Sequence, residues 1–569
     1  VTELAASGGV VLEDDAVFSP LLHAAERRAA EGLKRLLRTP HDPVEINVEN
    51  ALRWVEREGK ITLSALQREA VRQGARGKVL VITGGPGTGK TTVLKSLLAI
   101  LEKKGVSFVL AAPTGRAAKR MEAATGREAR TLHRLLEFNP ATGRFAKGEH
   151  APLATDLLVV DEVSMVDIQL LSSVLEALPS FARLLLVGDV DQLPSVGAGS
   201  VLLDIIASGL VPVVRLDTVF RQAEESGIIA NAHRINRGEM PVFNDRDFVL
   251  IERDDPAKAV ETLVEVAARR LPARFGLDPL RDIQVLAPLR RGDAGVEAVN
   301  AAMQAALNPE GAPLPGRAYG LGDKVMQLRN NYTLDVYNGD TGVVTAVDLE
   351  AGEFQVSFDD GRAVLYPVED ADNLAPAYYA TVHKAQGSEY PAVVLSLHNQ
   401  HFMLLQRNVL YTAVTRGRRL VVIVGSAAPS PAPSATPARP AATPASPPAS
   451  ATKSADRDLR RALSGVRGYS PGGVVYAGGG AAAAPDKEDR HGSGVRAGDG
   501  RFGGGGRRPG QSHPVVSAAR RAVGGGAARG QRAPGRDGLW RRAGGAHPVQ
   551  RGHAVGRGAA RLRPRGRGG

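Results

Sequence analysis

Val79-Leu80-Val81-Ile82-Thr83 runs directly into Gly84-Gly85-Pro86-Gly87-Thr88-Gly89-Lys90-Thr91-Thr92. The five apolar and β-branched residues predict a buried strand. The string after them fits G-x-x-x-x-G-K-[ST], a loop whose amides wrap a phosphate where a helix begins. In that pattern Gly85, Pro86, Gly87, Thr88 and Gly89 form the cradle, and Lys90 reaches the β- and γ-phosphates of ATP. The Thr91 hydroxyl ligates Mg²⁺, and Thr92 carries the helix on. Strand, phosphate loop and helix in this order predict an α/β domain built on a parallel sheet.

The same alternation continues downstream. Short apolar strands are expected at 107–112, 157–160 and 183–187, with helices over 91–104 and 168–178 between them. Asp161-Glu162 leaves the strand at 157–160, where a carboxylate can hold Mg²⁺ (Asp161) and a second can polarise an attacking water (Glu162); a solvated strand end is the alternative. Gln192 follows the strand at 183–187 and can report on a γ-phosphate, while Asp189 and Asp191 also suit a turn before Pro194. A second set of strands at 283–287, 392–397 and 420–424 predicts a second α/β domain. Between its strands, residues 341–347, 353–358 and 363–367 alternate side chains as an antiparallel meander, read as a small β-barrel inserted over 318–375. A β-hairpin insert is expected over 138–155. Apolar residues at helical spacing over 21–37 and 50–58 make residues 1–60 an N-terminal helical segment. The domain reading is therefore 1–60, 61–222, 223–426 and a tail from 427 to 569.

Composition excludes several chemistries. The chain has no cysteine, so disulfides, thiolate metal sites and cysteine nucleophiles are absent, which suits a reducing, cytoplasmic setting. No stretch approaches the roughly 20 apolar residues of a membrane helix. The net charge of +12 is unevenly spread: residues 427–569 hold 25 Lys+Arg and 7 Asp+Glu, leaving 47 and 53 before them. That last segment opens Pro/Ala-rich and becomes Gly/Arg-rich, a composition expected to be disordered. Its near lack of Lys, Asn and Ile also fits GC-rich DNA read in a shifted frame, with a true Gly/Arg nucleic-acid tail as the alternative. The chain opens on Val1 rather than Met, as a fragment of a longer protein would.

Further strings make the pattern specific. They are Leu63-Ser64-Ala65-Leu66-Gln67, Ala112-Pro113-Thr114-Gly115-Arg116-Ala117-Ala118, Thr131-Leu132-His133-Arg134, Val219-Phe220-Arg221-Gln222, Thr381-Val382-His383-Lys384-Ala385-Gln386-Gly387-Ser388-Glu389 and Tyr411-Thr412-Ala413-Val414-Thr415-Arg416-Gly417. In this order they resemble the motifs of the RecD-like (RecD/TraA-type) DNA helicases of superfamily 1, the 5′-to-3′ branch, over about residues 21–425. The resemblance implies two tandem RecA-like P-loop domains and an ATP-dependent 5′-to-3′ DNA helicase of repair or recombination. A DNA-stimulated translocase subunit of a recombination complex is the alternative, and a P-loop NTPase of another class a more distant one. It implies that Gln67 reads adenine, that Arg221 and Arg416 reach the ATP phosphates, and that Gly387 and Glu389 face the nucleotide cleft. It assigns DNA contacts to Thr114, Arg116, His133, Thr381, His383 and Lys384, and offers Tyr332 as a base-stacking ring, though Thr114 also suits helix capping. Its implied partners are single-stranded and 5′-tailed duplex DNA, with single-strand-binding or recombination proteins alongside. Long members of that family carry an N-terminal region that is not visible here.

Overall fold

The computed structural model describes residues 2–13, 16–40, 44–217, 226–287, 295–331, 333–397 and 406–425. Arg221, Tyr332 and the segment 427–569 lie outside the described residues.

A short helix α1 (Thr2–Ala6) and the hairpin β1 (Val11–Glu13)/β2 (Ala16–Phe18) lead into α2 (Pro20–Arg38). Pro20 sits in the first turn of α2, where a missing N–H costs nothing. The stripe Ala25, Ala29, Leu33 and Leu36 is buried, and it packs on the helix Ile168–Ala177 rather than standing apart. Contact is close enough that a Cβ on Gly32 would lie 2.9 Å from Leu175 Cβ. The helices α3 (Val48–Gly59) and α4 (Ala65–Arg76) join the opposite core through Leu52, Val55, Ala70 and Val71. Residues 1–60 are thus no separate segment: their apolar stripes complete the two faces of the first domain.

That domain is a six-stranded parallel sheet. Its chain order is β3 (Val79–Gly84), α5 (Lys90–Glu102), β4 (Phe108–Ala112), α6 (Gly115–Thr125), β5 (Ala129–Thr131) and α7 (Leu132–Leu135). A hairpin β6 (Phe138–Asn139)/β7 (Arg144–Phe145) precedes β8 (Leu157–Val160), α8 (Ile168–Ala177), β9 (Arg183–Gly188), α9 (Val201–Ala207) and β10 (Val213–Leu216). The spatial order is β10-β3-β9-β8-β4-β5. β3, β8 and β9 are buried along their whole length, as a sheet covered on both faces demands. Successive residues face opposite cores: Val79 and Val81 meet α2 and α8, while Leu80 and Ile82 meet α3, α4 and α5. The hairpin expected over 138–155 is far shorter, two paired residues per strand, with only an isolated Gly148–Ala151 bridge beyond it.

The helix α10 (Gly227–Asn236) opens the second domain, whose parallel sheet takes the order β11-β20-β19-β12-β18. Its strands are β11 (Phe248–Glu252), β12 (Ile283–Ala287), then β18 (Tyr379–Thr381), β19 (Tyr390–Leu397) and β20 (Gly417–Gly425) after the insert. The insert holds β13 (Lys324–Gln327), β14 (Thr341–Asp348), β15 (Glu353–Phe358), β16 (Ala363–Pro367) and β17 (Leu374–Pro376). These form an antiparallel sheet in the order β16-β15-β14-β13-β17. β13 and β17 escape the alternation rule. β13 is buried at all four positions, Lys324 included, because the Lys324 ammonium donates to the Ile283 carbonyl at 3.0 Å. β17 is three residues ending in proline, which only an edge strand accepts.

Candidate functional site

The loop after β3 takes the shape that its glycines permit. Gly87 and Gly89 have φ of +73° and +82°, in the left-handed region where a side chain is strained. Gly89 is also the residue that starts α5, so the amides of the first helical turn point into the loop. A Cβ on Gly84 would come within 2.6 Å of the Leu216 carbonyl and 2.8 Å of Thr88 Oγ1. The Lys90 ammonium folds over the loop, donating to the carbonyls of Gly84 (2.6 Å) and Gly85 (3.0 Å), and the Thr88 hydroxyl donates to Gly85 O at 2.8 Å. Thr91 is exposed, and Thr92 follows it in the same first turn of α5.

Gln67 does something other than present its amide to a base. It is 1% exposed, its Oε1 accepts from Ser64 N–H at 3.0 Å, and its Nε2 donates to the Thr88 carbonyl at 3.0 Å. Ser64 Oγ in turn accepts from Gln67 N–H, completing a capping box that starts α4. The amide expected to read adenine is used as a brace between α4 and the phosphate loop.

Two carboxylates leave β8 beside that loop. Glu162 has φ +51° and ψ +42°, a conformation that side chains adopt at a cost of about 1–3 kcal/mol and that clusters at functional sites. Its N–H donates to Asp161 Oδ1 at 2.9 Å. Burial pushes the Asp161 carboxyl up, and neighbouring Glu162 pushes it further. Burial pushes Glu162 up as well, but Arg120, then Arg416 and Lys90, outweigh it and hold Glu162 below the usual carboxylate range. One carboxylate of the pair is therefore kept charged by three cations drawn from both domains. Asp189, after β9, is fully buried and its Oδ2 accepts from Gln192 Nε2 at 3.2 Å. The other end of the Gln192 amide, Oε1, is buried with no hydrogen-bond partner among the described residues.

The second domain meets this edge through the helix ending in Val414. The Tyr411 hydroxyl donates to Asp189 Oδ2 at 2.8 Å, and Leu193 N–H donates to Thr412 Oγ1 at 2.9 Å. Gln386 Nε2 donates to the Leu193 carbonyl at 3.1 Å. Arg416 is 3% exposed and donates to carbonyls of its own domain, Thr412 O from Nε at 3.1 Å and Ser388 O from Nη1 at 3.0 Å. Gly387, with φ +74°, brings the backbone so near the first domain that a Cβ would sit 3.2 Å from Thr114 Oγ1. Glu389 pairs with Arg120 (3.1 Å) and Arg418 (2.8 Å), and although burial raises it, those cations hold its carboxyl low.

The residues expected on a DNA strand divide. Thr381 ends β18 and its Oγ1 accepts from Lys384 N–H at 3.4 Å, so Thr381, exposed His383 and Lys384 share one tight turn at the sheet edge. Thr114 caps α6, accepting from Ala117 N–H at 3.2 Å, as the competing capping account has it. Arg116 is not turned to solvent: its guanidinium donates to Ser388 Oγ, Thr341 Oγ1 and, at 3.1 Å, the Tyr390 hydroxyl, with Asp340 and Asp359 within 4 Å. It ties the first domain to the second and to the insert. His133 packs between the hairpin rings of Phe138 and Phe145, 5.5 and 5.7 Å away, and burial lowers its pKa.

Two participants escape sequence reading. Arg120 binds Glu162 and Glu389 from α6; its one signal was its place four residues after Arg116. Tyr411 stood in a quoted string without a role. Tyr337, whose string Tyr337-Asn338-Gly339-Asp340 reads either as an aromatic face for a base or as a core tyrosine, is buried against α6, its ring so close that a Cβ on Gly115 would lie 2.4 Å from it.

Parts of the chain match known families. Residues 67–198 match the AAA domain, residues 299–358 the ATP-dependent RecD-like DNA helicase SH3 domain, and residues 376–424 the UvrD-like helicase C-terminal domain. The ATP-dependent RecD2 DNA helicase of Deinococcus radiodurans is 39% identical over 422 residues, covering 72% of this chain and 55% of that protein. The chain thus spans little more than half of that relative's length. The RecBCD enzyme subunit RecD of Mycolicibacterium smegmatis is 36% identical over 398 residues, 64% of this chain and 71% of that one. Among solved structures, Pif1 helicase from Bacteroides in complex with ADP-AlF3 and ssDNA aligns over 64% of this chain and 93% of its own, at 21% identity and a TM-score of 0.43.

Proposed function

The chain belongs to the RecD-like family of superfamily 1 ATP-dependent DNA helicases, and from that premise we propose that it hydrolyses ATP in the cleft between its two α/β domains. The observation that carries this reading is the convergence on Glu162: Lys90 and Arg120 from the first domain and Arg416 from the second all favour its charged form. A water-activating carboxylate that feels cations from both sides of a cleft is suited to hydrolysis that depends on how the cleft closes. Lys90 and the α5 N-terminus hold phosphate, and Arg416, planar and always charged, is placed to leave its carbonyl partners for a phosphoryl group. Arg221 is proposed as a second phosphate contact.

Mg²⁺ fits this site as a guest of the nucleotide. Thr91 and Asp161 offer two hard oxygens, and among the described residues no group of three or more acidic or histidine ligands stands ready to hold a metal. Mg²⁺ keeps most of its waters and binds through one or two protein oxygens plus phosphates, which is what these two residues leave room for. When bound it supplies neutralisation of phosphate charge.

Single-stranded DNA is proposed to run past the Thr381–Lys384 turn, with 5′-to-3′ movement and duplex unwinding taken from the family. Among the described residues no helix is long and apolar enough to cross a membrane, and a cytoplasmic setting is proposed. The test is ATP turnover with and without single-stranded DNA, paired with unwinding of 5′- against 3′-tailed duplexes. Lys90→Ala should lower DNA-stimulated turnover by about a hundredfold or more, by loss of transition-state charge stabilisation; a Lys90→Ala chain that hydrolyses ATP normally overturns the reading. The mycobacterial relative, a subunit of a larger enzyme, favours a second reading in which this chain translocates without unwinding alone. DNA-stimulated turnover without strand displacement on either duplex selects it.

A further inference from the structure

Arg116 and Arg120 stand one turn apart on α6, and both reach out of the first domain to consecutive residues of the second. Arg116 takes Ser388 Oγ and the Tyr390 hydroxyl, and Arg120 Nη1 takes Glu389 Oε1 at 3.1 Å. Arg120 Nη2 at the same time binds Glu162 Oε1. The stretch 388–390 is also fastened from its own domain, by Arg416 on the Ser388 carbonyl (3.0 Å) and Arg418 on Glu389 Oε2 (2.8 Å). A continuous line of contacts therefore joins Arg416 to Ser388, Glu389, Arg120 and Glu162. Its stretch 388–390 begins four residues after Lys384, and Gln386 and Gly387 lead straight from the His383–Lys384 turn into it.

A carboxylate oxygen engaged by a guanidinium is a poor acceptor for the proton of an attacking water. We propose that Arg120 is a positioning residue that keeps Glu162 paired to the second domain, so that water activation waits until the stretch 388–390 shifts. The trigger is a DNA strand seated at the Thr381–Lys384 turn. This makes Arg120 the element that couples strand binding to hydrolysis, and it rests on the reading of Glu162 and of that turn given above.

The variants are Arg120→Gln, Arg120→Lys and Glu389→Gln. The readouts are kcat and KM for ATP with and without an oligodeoxythymidine, and the affinity for that labelled oligonucleotide with and without a non-hydrolysable ATP analogue. In Arg120→Gln, turnover without DNA should rise and its stimulation by DNA fall by about fivefold or more, the lower end of ordinary coupling between sites. KM should stay within about twofold, since the change is not in ground-state binding. The analogue should also lose its effect on oligonucleotide affinity, because coupling between two bound ligands is reciprocal. Glu389→Gln, which leaves Arg120 in place, should shift both readouts the same way, and Arg120→Lys should restore part of the coupling. If Arg120→Gln merely lowers turnover while DNA stimulation and the analogue effect persist, Arg120 is a structural support and the proposal is overturned. If hydrolysis by the unaltered chain ignores DNA, the proposed function falls with it.

Discussion

Tyr411→Phe removes a single oxygen from the seam between the two domains, and the structure allows its cost to be worked out. Tyr411 is 1% exposed and Asp189 is fully buried, so neither group has water to fall back on. Asp189 accepts three hydrogen bonds: from Tyr411 at 2.8 Å and Gln192 at 3.2 Å on Oδ2, and from Asp191 N–H at 3.1 Å on Oδ1. Phenylalanine keeps the ring and opens no cavity, so the change isolates the hydroxyl. A hydrogen bond to a charged group contributes about 1.5–3 kcal/mol, and the two surviving donors place the loss at about 1.5–2 kcal/mol. Global unfolding of a chain with two domains is not a two-state measurement. The local probe is hydrogen exchange at the Leu193 amide, which donates across the same seam to Thr412 Oγ1. Exchange free energies for Tyr411→Phe, Asp189→Asn and the double variant form a cycle. A coupling near the expected value supports the seam as described. A coupling under about 0.5 kcal/mol, the level of independent sites, would refute it.

Three further outcomes are expected. Gly115→Ala puts a methyl 2.4 Å from the base of the Tyr337 ring, which cannot swing clear, so the insert should loosen from α6 by about 1–3 kcal/mol; faster proteolysis of the insert, relieved by Tyr337→Ala, checks it, and an unchanged cleavage rate contradicts it. Burial lifts Glu26 and Asp204 each to about 7, with Asp204 adding to the rise at Glu26. Both pKa values exceed those of the unfolded chain, so the folded state binds more protons between about pH 4 and 7, and stability present at the acid end is lost as pH rises through 7. The thermal midpoint should therefore fall from pH 5 to pH 8, and Asp204→Asn should flatten the slope; an unaltered slope excludes this pair as its source. Gly32→Val, at a site where even a Cβ meets Leu175 Cβ at 2.9 Å, should detach α2 from α8 and lower the midpoint further than Gly9→Val. Equal effects at the two glycines would show that α2 does not complete the first core.

Most of the fold could be read because its strands are short apolar runs between charged helices, and burial on both faces leaves such runs no other use. The strands 157–160, 283–287, 353–358 and 363–367 were anticipated to the residue. What escaped were three-residue and non-alternating strands, such as Ala129–Thr131 and Tyr379–Thr381. Their partners, not their own composition, make them strands. The nucleotide loop was equally legible, since its glycines answer local backbone demands. Gln67, Arg116 and His133 were not, because each offers hydrogen-bonding or stacking groups that a neighbouring element can claim before a ligand does. The charge balance was a poor guide, for the positive excess lies in the segment 427–569, and the residues before it hold 47 Lys+Arg against 53 Asp+Glu.

The amino-acid sequence by itself determined the phosphate loop, the two parallel sheets and their order, because backbone strain at glycine and the burial of apolar strands are settled within a few residues. Only the tertiary structure decided which charges meet. Arg120 lies 42 residues from Glu162 and 269 from Glu389, yet it binds both. Tyr411 and Asp189 are 222 apart and share a proton donor and acceptor. Electrostatic and hydrogen-bond energies depend on distances of a few ångströms and on the exclusion of water. Both quantities exist only after two domains and an insert have packed against α6.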